Sequence, residues 1–138
     1  MTNEVFIVSG ARTPIGSFMG NLSSFSAPEL AAAAIQKTLD TSSVEADQID
    51  EVLIGNVVSA GLKQAPARQA MRLAGIPDQC GATTINKVCG SGMKATMLAF
   101  DLIRSGSAET VLSGGMESMS NAPYLLANVR SGLRMGHS

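Results

Sequence analysis

Short apolar runs alternate along this chain with segments of helical period. Val5-Phe6-Ile7-Val8 is a continuous apolar run stopped by Ser9-Gly10, and it predicts a short buried strand over Glu4 to Val8. A polar connection rich in Gly and Ser follows, from Thr13 to Ser26. Ser26 and Glu29 stand at capping-box spacing, with Pro28 tolerated in the first helical turn. Leu30, Ala34, Ile35 and Leu39 then recur at helical spacing until Thr41-Ser42-Ser43. Val52-Leu53-Ile54 begins a second strand that Gly55 to Val58 can extend. Pro66 to Leu73 predicts a second helix, closed by Gly75 with Pro77 shortly after. Ala82 to Val88, rich in β-branched residues, predicts a third strand. Met93 to Arg104 predicts a third helix ended by Ser105-Gly106, and Thr110 to Ser113 a fourth strand. Strands alternating with helices imply an α/β domain with a mostly parallel sheet and right-handed crossovers.

The third helix carries almost no polar face before Asp101 and Arg104. A helix apolar nearly all round is buried on more than one side, which a small domain achieves with difficulty. From Ser118 onward the pattern turns loop-like and mixed, through Asn121-Ala122-Pro123-Tyr124 to His137 and Ser138.

Composition sharpens this picture. The 138 residues suffice for one domain of ordinary size. Charged residues make up 15%, against about 25% in a typical soluble domain. Such a chain either buries much of its surface against something else or is a small apolar enzyme core. Lys and Arg are scattered among acids with no basic block, so nucleic-acid binding is not indicated. The apolar stretches fall far short of the roughly 20 residues of a membrane span. Met1-Thr2-Asn3-Glu4 lacks a basic lead and an apolar core, so the expected location is the cytoplasm. Cys80 and Cys89 fit a reducing compartment, and with a single histidine, His137, they cannot compose a zinc site.

Cys89 is the residue that points to chemistry. It stands between the strand-like run ending at Val88 and the helix-like run starting at Met93. Gly90, Ser91 and Gly92 are small and let a substrate approach the sulfur. The free N–H groups and positive dipole end of a helix start stabilise a thiolate, which is the nucleophilic form of cysteine. The alternative is a buried structural cysteine, the commoner fate of a lone thiol. The flanking glycines favour the nucleophile.

The segment Asn86-Lys87-Val88-Cys89-Gly90-Ser91-Gly92-Met93-Lys94-Ala95 resembles the nucleophile segment of the thiolases. Three further segments resemble the same family in the same order. They are Val8 to Gly16, Gly55-Asn56-Val57 with Ala67-Arg68-Gln69, and Gly114 to Ser120. Lys87-Val88 and Gly90 to Lys94 resemble the acetoacetyl-CoA thiolases (acetyl-CoA acetyltransferases) more than the long-chain 3-ketoacyl-CoA branch.

The resemblance implies a thiolase-like N-terminal half over residues 1–117, with the helix after Cys89 sandwiched between two sheets in the complete fold. It implies that residues 118–138 begin an inserted loop domain. It implies ping-pong acyl transfer, in which two acetyl-CoA condense to acetoacetyl-CoA and CoA, or the reverse. Cys89 becomes an S-acyl thioester and its backbone N–H serves as one oxyanion donor. CoA thioesters are substrates and no cofactor is bound. The expected assembly is a homodimer or homotetramer, with Ala82 to Val88 near a two-fold axis. The family's histidine and second cysteine belong to its C-terminal half, so residues 1–138 alone are expected to be inactive. The alternatives are a ketoacyl synthase of the same fold, or a non-catalytic fragment serving as an interaction module.

The remaining candidates are weaker. His137, one residue from the end, is a poor prospect as a base. Cys80 reads as structural or incidental. Glu117 closes Gly114-Gly115-Met116-Glu117 at a strand's C-terminal end, where ligands of open α/β sheets bind. It either orients the nucleophile loop or is a solvated or salt-bridged loop acid. Asn86 either braces the Cys89 loop or reaches across a subunit interface.

Overall fold

The computed structural model of the chain describes residues 4–127 and 129–132. Its regular elements are α1 (Ala27–Asp40), β1 (Glu51–Gly55), α2 (Pro66–Leu73), β2 (Gly81–Ile85), α3 (Ser91–Ser105) and β3 (Val111–Gly115). The strands form one parallel sheet in the order β2-β1-β3. Glu51 lies opposite both Gly81 and Val111, and Gly55 opposite both Ile85 and Gly115. The three strands therefore end level, and the loops that leave them share one edge. That edge carries the site described below.

β1 is central and covered on both faces, which explains its unbroken apolar run. Val52 and Ile54 join α1 and α2 in one core, with Ala27, Ala31, Ile35, Ala67, Ala70 and Met71. Leu53 faces the other way, onto Ala95 and Ala99 of α3. Small residues at these contacts let the helices approach closely.

α1 starts where its sequence signal lies. The Glu29 carboxylate accepts the Ser26 hydroxyl at 2.7 Å and the Ser26 N–H at 2.8 Å. These bonds, the hydroxyl's first, hold Glu29 below the usual carboxylate range. At the other end of the sheet, Asp50 accepts Thr110 N–H at 2.9 Å and Glu109 N–H at 2.7 Å, tying the entry of β3 to that of β1. The bonds from Thr110 and Glu109 lower its pKa in turn.

The strand expected over residues 4–8 is not formed. This segment has no regular secondary structure, and Phe6, Ile7 and Val8 are 73%, 89% and 67% exposed. Ser9 Oγ tethers it to the Thr38 carbonyl of α1 at 3.0 Å. Between the segment and α1, α3 and β3 lies an open cleft of about 410 Å³. The physical reason is coverage. A continuous apolar run settles as a strand when both its faces are packed, and here the far side of the run meets nothing among the described residues.

Coverage also limits α3. Ser91, Ala95 and Ala99 are buried, but Met93, Met97 and Phe100 are 70%, 54% and 46% exposed. The helix is apolar on two faces, and the three-stranded sheet covers one of them. Beyond β3, Ser118 and Asn121 turn back onto the loop before α1. Ser118 Oγ donates to the Phe25 carbonyl at 2.9 Å, and Asn121 Nδ2 to the Ser23 carbonyl at 2.9 Å. Among the described residues, no helix is long and apolar enough to cross a membrane.

Candidate active site

β2 stops at Ile85, three residues short of the strand predicted through Val88, because the backbone there is diverted into a turn. Asn86 Oδ1 accepts the Val88 N–H at 3.0 Å, an Asx turn that competes with strand pairing. Val88 is then left-handed, at φ 48°. For a β-branched residue that conformation costs about 1–3 kcal/mol and persists only when neighbours impose it. Ser91 supplies much of the constraint. Its Oγ donates to the Val88 carbonyl at 2.6 Å and accepts the Lys87 N–H at 2.8 Å, while its own N–H reaches the Val88 carbonyl at 3.1 Å. Ser91 itself is buried, at 4% exposure.

Cys89 sits on this turn, two residues before α3 begins, and its thiol is free and exposed. Its backbone N–H donates to no acceptor among the described residues. A thiol and an unused N–H on one residue at a helix start can attack a carbonyl and receive the negative charge that develops on its oxygen.

Glycines allow the first turn of α3 to rest directly on the sheet. A Cβ placed on Gly55 would lie 2.5 Å from both Gly92 N and Ser91 C, backbone atoms that cannot swing aside. Gly92 and Gly115 meet in the same way, since a Cβ on Gly115 would stand 3.3 Å from Gly92 Cα.

Glu117 joins the loops after β1 and β3. Its carboxylate accepts Val57 N–H at 3.0 Å, Val58 N–H at 3.0 Å and Asn56 Nδ2 at 2.8 Å. It is thus a clamp between loops and not a solvated acid. Asn56 is 1% exposed, donates Nδ2 also to the Met116 carbonyl at 3.2 Å, and donates its backbone N–H to the Ile85 carbonyl at the end of β2 at 2.9 Å. The amide orientation is fixed, because a flip would set Oδ1 against two oxygens. Asn86 Nδ2 donates to the Val57 carbonyl at 3.3 Å, so Asn86 braces the Cys89 turn within the chain.

Sequence reading assigns no role to Asn56 or Val88, and takes Ser91 only as a small residue beside the sulfur, whereas it is buried and holds the turn through Lys87 and Val88. A polar residue directly after a buried apolar run, and a serine between two glycines, were the available signals. Cys80 lies apart from this edge, 5% exposed, with Sγ 3.3 Å from the Gly81 carbonyl. Burial pushes its thiol pKa up, the Glu51 and Asp50 charges add to the rise, and Arg68 opposes it. That suits a packing role. His137 lies outside the described residues. Among the described residues, no three His, Cys, Asp or Glu side chains group as a metal site.

The sequence signature of the "Thiolase, N-terminal domain" matches residues 5–138. The chain belongs to the thiolase family. It is 50% identical over 135 residues to an acetyl-CoA acetyltransferase of Pseudomonas aeruginosa, a match covering 98% of this chain and 34% of that protein. The acetyl-CoA acetyltransferase of Escherichia coli K12 is 49% identical over 131 residues, covering 94% of this chain and 33% of its own length. The solved structure of an acetyl-CoA acetyltransferase from Syntrophomonas wolfei superposes with a TM-score of 0.94 at 38% identity, covering all of this chain and 35% of that one. The chain thus has the thiolase N-terminal fold and spans about a third of the length of these relatives. The Cys89 turn and the Glu117 clamp both fall within the thiolase-matching region.

Proposed function

We propose that Cys89 is the nucleophile of a thiolase-type acyl transfer, in which two acetyl-CoA yield acetoacetyl-CoA and CoA. The observation that carries this reading is the exposed Cys89 thiol beside its own unpartnered N–H at the start of α3. Sγ attacks the thioester carbonyl, the oxyanion forms against the Cys89 N–H, and the C–S bond to CoA breaks. CoA departs as the thiol once it takes up a proton, leaving S-acetyl-Cys89. A base then removes an α-proton from the second acetyl-CoA. The new C–C bond forms as the bond to Sγ breaks, and the sulfur regains a proton. Cys89 and its N–H provide covalent and electrostatic catalysis, and the proton transfers are assigned to groups beyond the third of the relatives' length spanned here. That the relatives are acetyl-CoA acetyltransferases favours this over a ketoacyl synthase.

The test is to mix the whole protein with acetyl-CoA, quench in acid and map peptides by mass. Acetyl on the Cys89 peptide, removable by added CoA, is expected. No adduct, or an adduct on Cys80 alone, would remove the basis of the assignment.

The same reading includes a homodimer or homotetramer with Ala82 to Val88 at the contact. Among the described residues β2 is an edge strand whose outer side is unpaired, and such edges invite pairing with a second chain. Native mass spectrometry of the whole protein is expected to show dimers or tetramers, and a fully active monomer would contradict it.

A further inference from the structure

The geometry points to Asn86 and Glu117 as positioning residues for Cys89, an inference that rests on the reading of Cys89 as the nucleophile. Three hydrogen bonds run in series from the carboxylate to the turn. Glu117 accepts the Val58 N–H at 3.0 Å, the Val57 carbonyl of that same peptide accepts Asn86 Nδ2 at 3.3 Å, and Asn86 Oδ1 accepts the Val88 N–H at 3.0 Å. All three point the same way along amide groups, so each polarises the next. The series starts on a carboxylate that cannot turn away without stranding the Val57 N–H and the buried Asn56 amide as well.

The series ends on the residue that needs holding. Val88 stands at φ 48°, and Asn86 fixes its N–H while Ser91 fixes its carbonyl. That carbonyl and the Cys89 N–H belong to one planar trans peptide, so they point in opposite directions. Whatever sets the Val88 carbonyl therefore aims the Cys89 N–H. If Asn86 let go, Val88 would relax toward its ordinary conformations and the N–H would swing from the place where an oxyanion forms. Asn86 and Glu117 act through the turn and not on the reacting carbonyl.

The experiment uses the whole protein with three substitutions: Asn86→Ala, Asn86→Ser and Glu117→Gln. Asn86 is exposed, so its variants keep the fold. A serine can still accept the Val88 N–H, though more weakly than asparagine. Asn86→Ala is expected to slow acetylation of Cys89 about ten-fold, the equivalent of one charge-assisted or two ordinary hydrogen bonds, with the acetyl-CoA KM little changed. Asn86→Ser should recover part of that loss. Glu117→Gln should move the rate in the same direction as Asn86→Ala. A rate for Asn86→Ala equal to that of the unsubstituted protein, or equal losses in Ala and Ser, would overturn the inference whatever happens to thermal stability. The Cys89 iodoacetamide rate, read on the same variants, separates the two claims. If Cys89 is never acetylated but its alkylation rate follows the Ala–Ser order, the nucleophile reading fails and the brace stands. If acetylation occurs and neither rate responds, the brace fails.

Discussion

Cys89→Ala is expected to cut acyl transfer about 10³-fold or more while leaving the fold intact. Removing the atom that carries the covalent intermediate leaves only whatever binding and oxyanion stabilisation achieve without it. Stability should hold because Cys89 is exposed, and substitutions away from packed positions usually stay within about 0.5 kcal/mol. Cys80→Ala should behave in the opposite way. Cys80 is 5% exposed and packs in the α1–α2 core, so its loss should cost about 1 kcal/mol or more with turnover kept. Limiting iodoacetamide near neutral pH should label Cys89 well before Cys80, because burial both shields the Cys80 sulfur and raises its pKa. The sign of the linkage follows. A thiol with a raised folded-state pKa contributes stability that is fully present below its unfolded value of about 8.5 and is lost as pH rises toward the folded value. Denaturation midpoints should thus fall above that pH in the parent and fall less in Cys80→Ala. Turnover in Cys89→Ala within ten-fold of the parent, or first labelling at Cys80, would show that the wrong cysteine has been assigned.

What the sequence made legible was local. The α1 capping box, the Pro and Gly bounds of α2, and the apolar run of β1 are read from neighbours within one or two turns, and the elements formed there. The run over residues 4–8 carried an equally strong strand signal, but a signal of burial is a statement about partners. The strand does not form where β3 offers one edge and no described residue covers the far face. β2 was overextended because β-branched propensity was read through Asn86, whose side chain terminates the strand by capturing Val88 N–H. The catalytic candidate was legible because its local features, a cysteine before small residues and a helix, lie side by side in sequence. Its supports were legible only as open alternatives, Glu117 and Asn86 each reading as a brace of the loop or as something else. Glu117 acts on Val57 and Val58 from across the sheet edge, and no periodicity reports that pairing. The roles of Gly55, Gly92 and Gly115 likewise depend on strands and a helix meeting in space.

Those glycine contacts carry the second large expected effect. Gly55→Ala should destabilise the domain by about 3 kcal/mol, at the upper end of what overpacking usually costs. The new Cβ would stand 2.5 Å from Gly92 N and Ser91 C and 2.8 Å from Ser91 Cβ. Flexible side chains could yield to it, but two of these atoms are backbone in the first turn of α3. The turn itself has to move away from β1, and Ser91 moves with it. Its Oγ then leaves its 2.6 Å contact with the Val88 carbonyl, and Val88 loses one of the groups that hold its left-handed backbone. Since a misplacement of about 1 Å can cost a hundred-fold in rate, acyl transfer should fall further than stability alone explains, even at temperatures where the variant remains folded. Gly10→Ala provides the control, because a Cβ there meets nothing within 4 Å and should change stability by no more than about 0.5 kcal/mol. Gly115→Ala, with its nearest contact at 3.3 Å, should fall between the two. Thermal melts and single-turnover acetylation on the three variants decide the matter. If Gly55→Ala melts with Gly10→Ala and acetylates at the parental rate, then the seating of α3 on the end of β1 is not what places Cys89.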